Sequence, residues 1–123
     1  MHKVILIEDD ETMCSLLQVL LEFEGFQVKS VDGAAKIEEI LVFLRNEQPE
    51  LIFLDVHLKY LNGFDLIKRL REDPDLKSCR VLMSSGMELG AQCRQAGADD
   101  FILKPFMPED LVDTIKNTIG SRN

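Results

Sequence analysis

Side chains suited to binding a cation and a phosphoryl group follow the apolar runs of this chain. The acidic run Glu8–Glu11 comes directly after Val4–Ile7, and Asp55 follows another apolar run. Ser85 and Lys104 follow two more. Clustered carboxylates repel each other unless a cation lies among them, and oxygen ligands suit Mg²⁺, which also accepts phosphoryl oxygens. Because a lysine and a hydroxyl suit the remaining oxygens of such a group, these residue types indicate phosphoryl transfer onto a carboxylate.

Each of these residues also has an ordinary structural interpretation. Glu8–Glu11 is typical of an exposed helix N-terminus, where acids complement the helix dipole. Asp55 fits a turn, Ser85 fits a local bond to the backbone, and Lys104 fits the protein surface. The conjunction favours the cation hypothesis, because all four positions come directly after a predicted strand.

The elements that must position these residues alternate along the chain. Apolar and β-branched runs predict strands at Val4–Ile7, Phe26–Val31, Leu51–Leu54, Arg80–Ser84 and Ala98–Leu103. Apolar residues at helical spacing predict a helix after each strand, the fourth being short, over Leu89–Ala96. Five β-α units predict an α/β fold, a doubly wound parallel sheet with helices on both faces. Ligands bind beyond the carboxyl ends of strands in such sheets, which is where the acids, Ser85 and Lys104 would meet.

Composition limits the other possibilities. A chain of 123 residues with 46% apolar residues fits one folded domain over residues 1–123. Its net charge of −8 argues against direct nucleic-acid binding, which normally uses a basic excess. The apolar runs are too short to span a membrane, and the early acids leave no signal peptide. Cys14, Cys79 and Cys93 are an odd number without metal-type spacing, so we expect reduced thiols and a cytoplasmic protein.

Segments of the chain resemble the signature blocks of response-regulator receiver domains from two-component signalling. They are Val4–Glu11, Pro49–Asp55 and Gly97–Phe106, and the similarity extends from Lys3 to about Ile119. The resemblance implies a flavodoxin-like (βα)5 sheet with strand order 2-1-3-4-5. It also implies a function: a receiver takes a phosphoryl group onto an aspartate in a Mg²⁺-dependent reaction.

The resemblance assigns a role to each residue at the predicted sheet edge. Asp55 matches the phosphoryl acceptor, and Lys104 matches the lysine that pairs with the phosphoryl group. Glu8 and Asp9 match the acidic pair that holds Mg²⁺. Asp55 would be a further ligand of the metal, and the backbone carbonyl of His57 would be another.

Another group of residues is implied to report phosphorylation. Ser85 matches the switch hydroxyl, which also binds the phosphoryl group, and Phe101 matches the switch aromatic without the hydroxyl of the commoner tyrosine. The Lys104–Pro105 bond matches the cis peptide of the family. Asp10 is instead predicted to cap the first helix. For His57, a partly exposed side chain with only the backbone carbonyl in use is favoured over a side chain that assists or blocks the hydrolytic water, is phosphorylated or binds metal.

The chain departs from the family pattern in length and at single positions. From Gly33 to Asp55 it is about four residues longer, which predicts about one extra turn in the second helix. From Ser85 to Lys104 it is about three residues shorter, nearly a turn, which questions the usual role of the fourth helix as an output surface. Lys59 replaces the usual proline four residues after Asp55.

A receiver of this kind would take its phosphoryl group from a sensor histidine kinase or a histidine phosphotransfer protein. It would switch a downstream protein or a covalently linked output domain, as a monomer or a phosphorylation-dependent dimer. It would catalyse only its own phosphorylation and dephosphorylation, and whether it stands alone or belongs to a longer protein stays open. A degenerate receiver that acts as a phosphorylation-independent interaction module is the alternative, which the full set of acids and lysine disfavours. A flavin-binding enzyme is disfavoured because Glu8–Glu11 would repel a phosphate there.

Overall fold

The computed structural model describes residues 2–32 and 34–120, in which strands and helices alternate. The strands are β1 (Lys3–Ile7), β2 (Gln27–Ser30), β3 (Leu51–Asp55), β4 (Arg80–Ser85) and β5 (Asp100–Leu103). The helices are α1 (Glu11–Phe23), α2 (Ile37–Glu47), α3 (Gly63–Glu72), α4 (Gly90–Gln95) and α5 (Pro108–Gly120). Gly33, where the long interval begins, lies outside the described residues, as do Met1 and residues 121–123.

The strands form one parallel sheet in the order β2-β1-β3-β4-β5, which confirms the predicted fold class and strand order. Ile7 pairs with Leu54, and Asp55 pairs with Ser84. This register aligns the strand ends along one side of the sheet, which we call the carboxyl edge; the strands begin at the amino edge. The outer strands β2 and β5 are shorter than predicted: β2 begins at Gln27 and ends at Ser30, and β5 begins at Asp100.

The sheet is buried on both faces because alternate side chains of each strand enter different layers. Ile5 and Ile52 belong to one apolar cluster, which includes buried residues of α2 and α3. Val4, Leu6 and Phe53 belong to the other, which includes buried residues of α1 and α5. Full burial of one such side chain contributes about 1.5–3 kcal/mol, so the strand ends extend from a firmly packed platform.

Side-chain caps fix the helix starts next to the carboxyl edge. Asp10 accepts a hydrogen bond from the Met13 N–H and caps α1, as predicted. Asn62 caps α3 in the same way. Gly63 then begins α3 so close to β3 that a Cβ at this position would lie 2.6 Å from the backbone oxygen of Asp55. Glycine therefore allows α3 to start directly against the end of β3.

The fourth helix is short, as the sequence predicts, with six residues in α4. α2 has 11 residues, against 13 in α1 and in α5, so the longer interval before Asp55 does not make α2 the longest helix. The Lys104–Pro105 peptide is cis, as the resemblance implies. Across residues 2–32 and 34–120 we find no helix that combines the length and hydrophobicity needed to traverse a bilayer.

Candidate functional site

Two buried carboxyl groups lie side by side where β1 and β3 end. Glu8 directly follows β1, Asp55 is the last residue of β3, and the two residues are 5% and 7% exposed. Burial raises the pKa of Glu8, the hydrogen bond from Lys104 lowers it, and the adjacent carboxylate of Asp55 raises it again, with a net rise. The contribution of Asp55 to this rise is the sign of like-charge repulsion between the two carboxylates.

Lys104 follows β5 and reaches across the carboxyl edge to both acids. Its Nζ lies 2.5 Å from Oε1 of Glu8 and 3.4 Å from Oδ2 of Asp55. Burial lowers the pKa of Lys104, but the hydrogen bond to Glu8 and the charge of Asp55 raise it by more. One ammonium group thus serves two ionisable carboxyl groups, which leaves this buried centre negative when both are ionised.

Asp9, the second member of the predicted metal-binding pair, faces a different partner. Its Oδ2 accepts a hydrogen bond from the backbone N–H of Lys59, in the loop between β3 and α3. The backbone N–H of Asp9 donates to Oε2 of Glu8 at 3.0 Å. Consecutive acids therefore have different environments: Glu8 is buried beside Asp55, Asp9 is half-buried against the loop, and Asp10 is exposed at the start of α1.

The serines that end β4 also lie at the carboxyl edge. The Oγ of Ser85 accepts a hydrogen bond from the Met87 N–H at 3.0 Å, and its carbonyl accepts one from the Lys104 N–H at 2.8 Å. Ser84 pairs with Asp55 across the sheet and is fully buried. Within the described part of the chain, the hydroxyl of Ser84 has no hydrogen-bond partner.

Phe101 and His57 occupy contrasting positions. Phe101 is half-buried on β5 and packs against the apolar cluster beside α4, where a Cβ at Gly90 would lie 3.5 Å from its ring. His57 is exposed in the loop after β3 and forms an isolated bridge with Asn62.

The chemistry of the donor set fits a hard divalent cation such as Mg²⁺. Glu8 and Asp55 supply buried oxygens and more negative charge than Lys104 neutralises. In the residues that the structure describes, no three histidine, cysteine, aspartate or glutamate side chains are grouped so that they could hold a metal ion. Two of the predicted carboxylate ligands thus lie together, and Asp9 faces Lys59 instead.

Two further residues shape the site without having been assigned a role from the sequence. Gly63 permits the close approach of α3 to the backbone of Asp55. The available signal was the Asn62–Gly63 pair just before residues at helical spacing, which is typical of a capped helix start. Lys59 contributes its backbone N–H to Asp9, and no side-chain pattern signals a backbone donor.

Comparison with known proteins identifies the class of protein that this fold and site define. The response regulator receiver domain family matches residues 4–116, so the chain belongs to this family of two-component signalling domains. It is 32% identical over 117 residues to the phosphate regulon transcriptional regulatory protein PhoB of Rhizobium meliloti (strain 1021). This alignment covers 93% of the chain and 50% of PhoB. It is 29% identical over 116 residues to the DNA-binding response regulator MtrA of Mycobacterium tuberculosis (strain ATCC 25618 / H37Rv). This alignment covers 94% of the chain and 49% of MtrA. The chain thus spans about half the length of these curated relatives.

Solved structures show the same fold over nearly the whole chain. A putative response regulator from Chloroflexus aurantiacus J-10-fl superposes with a TM-score of 0.85 at 32% identity and covers 97% of this chain and 98% of its own. The signal receiver domain of a signal transduction histidine kinase from Syntrophus aciditrophicus gives a TM-score of 0.85 at 27% identity, over 100% of this chain and 93% of its own. Receiver domains similar to this chain therefore occur both in a putative response regulator and in a signal transduction histidine kinase.

Proposed function

We propose that residues 1–123 form one receiver domain that is phosphorylated on Asp55. The observation that carries the proposal is the contact of Lys104 Nζ with both Glu8 and Asp55 at the carboxyl edge. A carboxylate approaches an anionic phosphoryl donor only if positive charge offsets their repulsion, and Lys104 supplies such a charge. This arrangement supports an active receiver over a degenerate one.

Asp55 acts as the nucleophile toward a phosphohistidine on a sensor histidine kinase or a histidine phosphotransfer protein. One Oδ atom of Asp55 forms a bond to phosphorus while the P–N bond to the histidine breaks, and the imidazole leaves with a proton from solvent. The ammonium of Lys104 orients the phosphoryl oxygens and stabilises the charge that develops on them. The domain modifies only itself, so it is a signalling domain and not an enzyme with a separate substrate.

A Mg²⁺ ion, when bound, supplies charge neutralisation at the phosphoryl oxygens. Glu8, Asp9 and Asp55 would hold it, with the backbone carbonyl of His57 as a further ligand. Glu8 and Asp55 already lie together at the carboxyl edge, whereas Oδ2 of Asp9 accepts the hydrogen bond from the Lys59 N–H. The metal set is thus assembled from two strand ends and one loop.

Ser85 and Phe101 report the phosphoryl group in this proposal. Ser85 ends β4, directly after the residue that pairs with Asp55, and in this proposal its hydroxyl donates to a phosphoryl oxygen. A charge-assisted hydrogen bond of about 1.5–3 kcal/mol biases the equilibrium between two packings. Phe101, half-buried against the start of α4, changes its packing in response. The short α4 leaves β5 and α5 as the main output surface.

The output is a downstream protein or a covalently linked domain. The curated relatives named above are a transcriptional regulatory protein and a DNA-binding response regulator, and the chain spans about half of each. The charge of −8 favours contact with protein over direct DNA contact by this domain. We propose that it acts in the cytoplasm as a monomer or a phosphorylation-dependent dimer.

Labelling with acetyl phosphate tests the proposal, with the protein trapped by borohydride and the site located by mass spectrometry. We expect one labelled residue, Asp55, in wild-type protein with Mg²⁺ and no label after chelation of the metal. Asp55→Asn should remove the label, whereas Asp113→Asn, a control on the exposed face of α5, should keep it. A folded wild-type protein that takes no label would favour the degenerate receiver, and full labelling of Asp55→Asn would place the acceptor elsewhere.

A further inference from the structure

The side chain of Asp9 is bound to the backbone of the loop after β3. Its Oδ2 accepts the hydrogen bond from the Lys59 N–H beside a cavity of about 640 Å³ that Glu8 and Tyr60 also line. The Lys59 ammonium lies elsewhere, 5.5 Å from the centre of the Tyr60 ring. It is therefore the backbone of Lys59 that binds Asp9.

This hydrogen bond exists only because residue 59 has a backbone N–H. The receiver domains that the chain resembles usually have proline at this position, and proline has no backbone N–H to donate. The identity of residue 59 thus decides whether the loop can bind the carboxylate of Asp9. Asp9 is also a member of the predicted metal set, so this hydrogen bond occupies one of the oxygens available to a metal.

We propose that the Lys59 N–H is a positioning group that occupies Oδ2 of Asp9, and so weakens Mg²⁺ binding by the unphosphorylated domain. This inference rests on the proposed function, because it takes the acids as the Mg²⁺ ligands. It makes the concentration of free Mg²⁺ a stronger determinant of phosphorylation in this chain than in a receiver with proline at the same place.

The expected weakening follows from the competition for one carboxylate. A hydrogen bond from an N–H to an ionised carboxylate is stronger than one between neutral groups. In this proposal Mg²⁺ and the Lys59 N–H compete for Oδ2 of Asp9, so Mg²⁺ binds with full affinity only when this oxygen is released, and the apparent dissociation constant is the intrinsic one divided by the fraction of such molecules. If one molecule in about ten has Asp9 released, Mg²⁺ binds about tenfold more weakly, which corresponds to about 1.4 kcal/mol.

Two substitutions at residue 59 separate the backbone donor from the side-chain charge. Lys59→Pro and Lys59→Ala both remove the ammonium, but only Lys59→Pro removes the N–H. Isothermal titration of the two folded proteins with MgCl₂ alone should give a dissociation constant about tenfold lower for Lys59→Pro than for Lys59→Ala. Equal constants, or weaker binding by Lys59→Pro, would overturn the inference.

A measurement on the unmodified backbone covers the case in which Lys59→Pro does not fold. In ¹⁵N NMR spectra the Lys59 amide proton of wild-type protein should be shifted downfield by its bond to Asp9. It should move upfield when Mg²⁺ is added, and Asp9→Ala should produce the same upfield move without metal. A Lys59 amide that responds to neither change contradicts the inference.

The titrations also separate this inference from the proposed function. If wild-type protein and Lys59→Ala bind Mg²⁺ and are labelled on Asp55, the proposed function stands, and only the ratio between Lys59→Pro and Lys59→Ala decides the role of the N–H. If none of the three proteins binds Mg²⁺, the metal set fails and the inference fails with it.

Discussion

The two edges of the sheet arrange their charges in opposite ways. At the amino edge, carboxylates have cations as partners: Asp99 pairs with Arg71, Asp73 pairs with Arg45 at 2.6 Å, and Glu47 contacts both Lys3 and Lys29. The hydrogen bonds with these cations lower the pKa of Asp73 and of Glu47. At the carboxyl edge, Glu8 and Asp55 share Lys104, and the pKa of Glu8 is raised.

This difference separates charges that stabilise the fold from charges that are available for chemistry. At the amino edge each of these carboxylates has at least one cation of its own, so little negative charge is left over. Two buried carboxylates that share one lysine have negative charge left over, and an arriving cation relieves it. Strain of this kind is typical of functional sites, where stability is given up for reactivity.

The largest expected effect is on stability, at the amino edge. The guanidinium of Arg71 donates to the carbonyls of Gly97, Lys77 and Cys79 and to Asp99, and so joins the loops that precede β4 and β5. Arg71→Met should lower the free energy of unfolding by about 3 kcal/mol, because several half-buried acceptors lose a charged donor. Urea denaturation measures this.

The control for this change is a neighbouring arginine on the same helix. Arg69 contacts Glu38 on the surface, where both side chains are well exposed. Exposed ion pairs contribute about 0–1 kcal/mol, so Arg69→Met should have a small effect. Equal losses from the two substitutions would show that the network around Arg71 has no special structural role.

A smaller effect is expected at the carboxyl edge, from metal binding. At a Mg²⁺ concentration ten times its dissociation constant, the wild-type protein should gain about 1.4 kcal/mol of unfolding free energy, because the folded state alone binds the ion. Asp9→Ala should lose most of this gain, whereas Arg71→Met should keep it, since its change lies at the other edge. Thermal unfolding with and without Mg²⁺ measures both. A loss of the gain in Arg71→Met would mean that the two edges are not independent.

The carboxyl edge also shows what the sequence could and could not predict. Glu8, Asp55 and Lys104 were predicted to meet because each follows an apolar run, and parallel strands bring such positions to one side. Residue type and a parallel sheet are sufficient for a meeting of the acidic run, Asp55 and Lys104; the strand order and the choice of Glu8 within the run come from the resemblance to receiver domains. The cap at Asp10 is predicted once the resemblance places Glu8 and Asp9 on the acidic pair, because Asp10 is then the next polar residue before the helical pattern.

Features that depend on the path of the backbone were out of reach. The bond from the Lys59 N–H to Asp9 requires the loop after β3 to pass beside β1, and a lysine in the sequence does not indicate which way its N–H points. The close contact of Gly63 with the backbone of Asp55 likewise follows from the angle at which α3 leaves the sheet. The backbone partner of Asp9 is therefore set by the path of the loop, which no pattern of side chains reveals.

The smallest expected effect comes from the serines at the end of β4. Ser84 is fully buried, and within the described residues its hydroxyl has no hydrogen-bond partner. A buried hydroxyl without a partner costs about 1–3 kcal/mol, part of which is offset by the packing of its oxygen. Ser84→Ala should therefore raise the free energy of unfolding by about 1 kcal/mol and leave labelling of Asp55 unchanged.

Ser85→Ala removes the acceptor of the Met87 N–H and should lower the free energy of unfolding by about 1 kcal/mol. Opposite signs for adjacent serines, measured by urea denaturation, would show that the carboxyl edge keeps an unsatisfied group beside a satisfied one; a destabilised Ser84→Ala would mean that the Ser84 hydroxyl contributes to stability.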